Sequence, residues 1–135
     1  MRRRLALVLL PGLLASGCAT LPPARRAAAP VQVDRLLAVA ASQVQRCYRA
    51  PRVSFEGRQI VTRLRVRFTG DGQLAQLPVV IAQLGLTPRN ETYADRMAEA
   101  AIEAVLRCAP LRLPDGFPAD RLLAFDLTFS PIAPA

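Results

Sequence analysis

Between Gln59 and Thr69 the chain alternates with a period of two. Ile60, Thr62, Leu64, Val66 and Phe68 fall on one side and Arg63, Arg65 and Arg67 on the other. This is the pattern of a half-buried β-strand with a solvated, basic back. Gly70-Asp71-Gly72 follows, and Asp-Gly supplies the positive φ angles of a tight hairpin turn. A return strand is predicted over Leu74–Ile81, with Pro78 confining it to a sheet edge because proline has no N–H for a ladder. Leu123, Phe125, Leu127 and Phe129 alternate again and predict a third strand over 121–129, stopped by Pro131.

Two other stretches carry helical spacing. Leu37, Ala40, Ala41, Val44 and Tyr48 predict an amphipathic helix over 34–48, with Asp34 as its N-cap and Ala50-Pro51 as its stop. Ala94, Ala98, Ala101, Ile102 and Val105 predict a second over 90–107. There Thr92 and Asp95 stand at capping-box spacing, and Glu103 and Arg107 form an i,i+4 pair on the wet face. Pro110, Pro114 and Pro118 mark an extended connection to the last strand. The order α-β-β-α-β predicts a small α+β domain. Two helices lie on one face of a three-stranded antiparallel sheet, and the arginines face solvent on the other.

The N-terminal pattern is of a different kind. Met1-Arg2-Arg3-Arg4 precedes an apolar run from Leu5 to Leu14, and Ala15-Ser16-Gly17-Cys18 follows. A basic start, a short apolar core and a small-residue cleavage site make a secretory signal. The run is broken by Pro11 and Gly12 and falls far short of the roughly 20 residues that span a bilayer. With its cysteine directly after the small residues, the segment resembles a bacterial lipoprotein signal. That resemblance implies cleavage after residue 17, with Cys18 as the first mature residue and the point of lipid (palmitate) attachment. A plain cleaved signal is the alternative. In lipoproteins an acidic residue after the cysteine favours inner-membrane retention. Ala19 stands here, which implies the periplasmic leaflet of the outer membrane. Residues 18–32, rich in Pro, Ala and Arg, are expected to form a tether, and 33–131 the folded domain.

Export changes how charge and cysteines are understood. Without the signal, 15 arginines and 10 acids leave a balance of +5. An exported, tethered chain rarely meets nucleic acid, so the arginines are expected to be a solvated surface, attractive to anionic lipid or to an acidic partner. Cys47 and Cys108 form an even pair in an oxidising compartment, most simply a disulfide, with two buried thiols as the alternative. The chain has no His, so the usual general base of a hydrolytic triad is missing. Two cysteines without close spacing are too few for a zinc site. No catalytic residue, metal site or cofactor is predicted, and the chain is not expected to be an enzyme.

The folded part resembles the C-terminal domain of TolA, within the wider TonB C-terminal-like group. The residues that carry the likeness are Gln45-Arg46-Cys47-Tyr48, the hairpin from Arg63 to Leu74, the run from Ala100 to Pro110, Leu111-Arg112-Leu113-Pro114, and Phe125-Asp126-Leu127-Thr128-Phe129. The resemblance implies a periplasmic protein-binding domain that takes an extended partner segment onto its last strand by β-strand addition. Carried onto this chain, the acceptor edge is Arg121, Leu122, Leu123, Ala124, Phe125, Asp126, Leu127, Thr128 and Phe129. An independent argument points the same way. If the first strand is central and Pro78 spoils the second, the third is the long open edge. The alternative is an edge covered by another segment.

The chain departs from the group in having no His, a cleavable start in place of an anchor helix, and a tether of about a dozen residues. The expectation is therefore a membrane-held binding module of the cell envelope rather than a transducer of energy. A structural or assembly lipoprotein of the pilotin type, using a helical groove, is the alternative function.

If Cys18 carries the lipid, Cys18→Ser moves the protein from the membrane fraction to the soluble periplasmic fraction. Unchanged partitioning would contradict the assignment.

Overall fold

The computed structural model describes residues 30–132. Cys18 and most of the expected tether lie outside the described residues. The elements, in chain order, are α1 (Pro30–Cys47), β1 (Val61–Thr69), β2 (Val79–Leu84), α2 (Ala94–Cys108) and β3 (Leu122–Phe129). Short 3-10 turns precede β1 (Gly57–Gln59) and α2 (Glu91–Tyr93). The sheet order is β2-β1-β3 and both pairings are antiparallel. This is the small α+β architecture that the alternating patterns predict.

β1 is the central strand, and its alternation is visible in its burial. Thr62, Leu64, Val66 and Phe68 are buried while Arg63, Arg65 and Arg67 are exposed. The core joins Leu64, Val66 and Phe68 of β1 to Leu123, Leu127 and Phe129 of β3. Leu36, Ala40 and Val44 of α1 and Ala101, Ala104 and Val105 of α2 pack over them. Both helices therefore cover one face of the sheet. The buried stripe of α2 runs through Met97, Ala101, Ala104 and Val105. It is rotated by about one position from the expected stripe, and Ala94, Ala98 and Ile102 sit at its half-buried margin.

The helix starts differ from expectation. α1 begins at Pro30, so Asp34 lies inside it rather than at its cap, and the helix takes up the last residues of the expected tether. Proline suits a first helical position because its missing N–H has no partner there anyway. Nor does α2 have the Thr92–Asp95 capping box; no side chain caps its start. Asn90, buried to 1 % exposure, orders that approach instead. Its Nδ2 donates to the Glu56 and Gly85 carbonyls at 3.0 and 2.8 Å, and its Oδ1 accepts the Thr87 N–H at 2.7 Å. One amide thus ties the Gly85–Asn90 loop to the loop at Glu56.

The hairpin turn also takes another form. Gly72 N–H donates to Thr69 O at 2.9 Å and Thr69 N–H to Gln73 O at 2.8 Å, closing a three-residue loop. Among the loop residues only Gly72 has positive φ, at 85°, so Asp71 stays in the ordinary region. The loop is a three-residue turn with glycine at the left-handed position, not a two-residue turn needing two positive angles. Asp71 accepts from the Thr69 hydroxyl. That bond is the main cause that holds its carboxyl below the usual range.

The return strand is shifted. Leu74 bridges Phe68 and Ala75 N–H donates to Arg67 O, but the ladder then stops. It resumes at Val79, opposite Arg65. Residues 75–78 thus face only two residues of β1. Pro78 is the reason: it has no N–H to give, and the chain loops out and buries its ring. The expected strand over Leu74–Ile81 is corrected to a bridge at Leu74 and a strand over Val79–Leu84, with Pro78 outside it.

Cys47 and Cys108 close the C-terminal ends of both helices in a disulfide, with Cα atoms 5.7 Å apart. Beside it Arg107 Nη1 donates to the Cys47 carbonyl at 2.9 Å, and Arg107 also forms the expected pair with Glu103, at 3.5 Å. The connection to β3 is tied down by Gln43, which exchanges two hydrogen bonds with the backbone of Arg112 at 2.8 and 2.9 Å. Leu111 N–H donates to Gly72 O at 2.8 Å, locking the hairpin turn to the same segment.

The bond closes a loop with a sequence separation of 61. In the chain-entropy model this is worth about 4 kcal/mol. Cys47→Ser with Cys108→Ser is expected to lower unfolding free energy by about 2–5 kcal/mol in urea titration. Alkylation of the denatured, unreduced chain should leave both thiols unmodified; modification of both would contradict the bond.

Candidate functional site

β3 pairs with β1 along its whole length, from Thr62 opposite Phe129 to Thr69 opposite Leu122. Among the described residues its far side pairs with no strand. Which backbone groups line that side follows from β1. Arg67 O and Thr69 N–H bond toward the hairpin arm, so the odd-numbered residues of β1 turn toward β2 and the even-numbered ones toward β3. The partners of those even residues are Leu123, Phe125, Leu127 and Phe129. Their backbone groups are used within the sheet. The outward N–H and C=O groups therefore belong to Leu122, Ala124, Asp126 and Thr128.

The side chains of the predicted edge divide in the same rhythm. Leu123, Leu127 and Phe129 are buried and Phe125 is half-buried, stacked on Phe68 with ring centres 6.0 Å apart. Arg121, which precedes the strand, is exposed, as are Leu122, Ala124, Asp126 and Thr128. Four of the nine candidate residues thus belong to the core and hold the edge in place. The outward groups fall on the other four residues of the strand itself. One end of the edge is already engaged: Gln45 Nε2 of α1 donates to the Thr128 carbonyl at 2.9 Å. The free stretch is centred on Ala124 and Asp126.

Charge is concentrated on the open face behind this edge. Asp126 receives Arg65 in two hydrogen bonds, at 2.8 and 3.0 Å, and Arg63 approaches to 4.0 Å. Arg67 Nη1 reaches Gln76 at 3.4 Å. The Arg65 bond is the main cause holding the Asp126 carboxyl below its ordinary value. The group is solvent-exposed, so the pair is screened by salt.

Elsewhere, Tyr48 packs against Phe129 with ring centres 5.2 Å apart, and its buried hydroxyl has no hydrogen-bond partner among the described residues. Burial raises its pKa. A shallow cavity of about 260 Å³ lies between the loops at Phe55–Gln59 and Gly85–Asn90. Asn90 in its wall spends its amide on the backbone. Among the described residues no group of His, Cys, Asp and Glu is placed to hold a metal ion, and no helix is long and apolar enough to cross a membrane.

β2 lies at a sheet edge as expected, but sequence reasoning missed that this edge is open. The elimination that left β3 as the open edge needed Pro78 inside β2, and Pro78 lies before it. β2 is a second edge strand with no proline of its own. Its signal was present in the sequence: Gln73 to Pro88 contains no charged residue.

Comparison with family models, with curated proteins and with solved structures finds no match to this chain.

The Asp126–Arg65 pair carries a pH signature. With the folded-state pKa below the ordinary 3.8, its contribution is present above that value and is lost as pH falls through the folded pKa. Asp126→Asn is expected to flatten the fall of stability below about pH 4 in thermal melts taken across the acid range. An unchanged acid limb would show that the pair does not act in solution.

Proposed function

We propose that this chain is a membrane-anchored, periplasmic protein-binding module of the cell envelope. It would capture an extended segment of a partner protein on the outer edge of β3. The observation that carries the reading is the outward row of backbone groups at Leu122, Ala124 and Asp126, on a strand whose other side is fixed in the core. An added strand gains affinity from such groups and selectivity from the side chains that flank them. On one side lie α1 and the half-buried Phe125; on the other lie Asp126 and the Arg63–Arg67 stripe.

The likeness to the TolA C-terminal domain supports the same mode of capture, because the quoted motifs fall on the C-terminal ends of both helices, the hairpin and β3. The lipoprotein-like start, with Cys18 as the anchor, supports a location at the periplasmic face of the outer membrane. The Cys47–Cys108 bond suits that oxidising setting.

Because Leu127 is buried, proline there would damage the core as well as the edge. Ala124 is exposed and its N–H points outward. Ala124→Pro removes one edge donor while leaving the β1 ladder bonds intact. Retention of partners from envelope extract on the immobilised chain is expected to fall at least about tenfold, roughly 1.4 kcal/mol, with an unchanged circular dichroism spectrum. Equal retention by a folded Ala124→Pro variant would rule out strand addition at β3.

A further inference from the structure

We propose that β2 is a self-association edge, on which a second copy of this chain pairs antiparallel to form a two-fold dimer with a continuous six-stranded sheet.

The first observation is what β2 lacks. Exposed edge strands are ordinarily guarded by charges or prolines against unwanted pairing. Val79–Leu84 contains neither, and the neutral stretch around it runs from Gln73 to Pro88. The one protective device present is a bulge: Val80 and Ala82 pair with the adjacent residues Leu64 and Arg63, leaving Ile81 as the extra residue.

The second observation is what β2 displays. Leu77, Val79, Val80, Ile81, Leu84 and Leu86 are all exposed, Leu77 to 71 % and Leu84 to 54 %. These six make up half of the exposed large hydrophobic residues among the described residues, and they gather along one margin of the sheet. Singly exposed apolar residues need no explanation, but a contiguous set along an unpaired edge does.

Charge selects the occupant. A strand without ionic groups offers no ionic contact to select an acidic or basic segment, whereas it meets its own copy with no like charges opposed. Self-pairing through β3 would bring two copies of Asp126 onto one interface, and Gln45 already holds the Thr128 carbonyl. Pairing β2 of one copy with β3 of the next is head-to-tail and does not close. In the β2–β2 arrangement the arginine stripes of the two β1 strands stand three strand spacings apart, roughly 14 Å. That exceeds the ~8 Å Debye length at physiological ionic strength, so Arg63, Arg65 and Arg67 do not oppose the pairing. The ladder available is six residues long on each copy, short beside a standard interface, so the dimer is expected to be weak and to dissociate on dilution.

The inference does not depend on partner capture at β3, and its test separates the two. Light scattering on the full chain in mild non-ionic detergent, at about 100 µM, is expected to show a dimer that dilution dissociates. Ile81→Lys and Leu77→Glu should each raise the dissociation constant at least about tenfold. Leu77 lies outside the ladder, so the second variant keeps the test open if the first misfolds. Under a mild oxidant, Ile81→Cys is expected to give a covalent dimer and Ala124→Cys to give none. A chain that stays monomeric overturns the proposal, including the case in which β2 instead takes up a neutral peptide of another protein. A dimer indifferent to both substitutions, or one cross-linked through Ala124→Cys, also overturns it. Ala124→Pro should leave the dimer intact.

Discussion

The structure depends on β1 being the middle strand. It is the strand whose two ladders build the sheet, and its buried row of Thr62, Leu64, Val66 and Phe68 is the floor on which both helices sit. Its other row is three arginines, which cannot be buried without partners. A central strand with one apolar and one charged face permits cover on one side only. Both helices must therefore share that side, and a sheet only three strands wide leaves each neighbour of β1 with a free edge. The open face and the two edges are consequences of one pattern of eleven residues, Gln59 to Thr69.

A core of this size is modest, and much of the packing is alanine: Ala40, Ala101 and Ala104 lie where the helices approach. Small residues allow close approach but bury little apolar surface each. The fold offsets this with ties that do not depend on area. The Cys47–Cys108 bond joins the helix ends, Gln43 clamps the chain between α2 and β3, and Asn90 gathers the loops that lead into α2. The edge proposed to bind is thereby held by a fixed frame, so a segment added there would be the component that orders on contact.

The two free edges differ in chemistry, which implies different tasks. β3 has an acid, a pair of arginines behind it and a helix alongside, which would let the proposed binding edge discriminate among extended segments. β2 is neutral and apolar, so it is indifferent to charge and suited to its own copy. A dimer formed through β2 would carry two β3 edges at opposite margins of one sheet. If tethered at a membrane as proposed, such a pair would bind partners with the advantage of a second, effectively intramolecular contact.

The local sequence alone determined the element types, their order and the sidedness of β1 and β3. Each rests on a short-range rule, a period of two or 3.6. The sequence left the cysteines as a disulfide or two buried thiols, and the fold, which brings the helix ends together across 61 residues, decides for the bond. The sites where sequence reasoning went astray depended on contacts between distant residues. Asp34 and Thr92–Asp95 have the spacing of caps, but α1 starts upstream, and Asn90 organises the approach to α2 through Glu56, far back in the chain. Gly70-Asp71-Gly72 has the composition of a two-residue turn, yet Leu111 and Ala119 hold its backbone as a three-residue one. Pro78 marks an edge from sequence, but the ladder's resumption at Val79 is what leaves β2 open. A proline can forbid one hydrogen bond; only the assembled sheet decides where the strand begins again, and so which of its edges remain free.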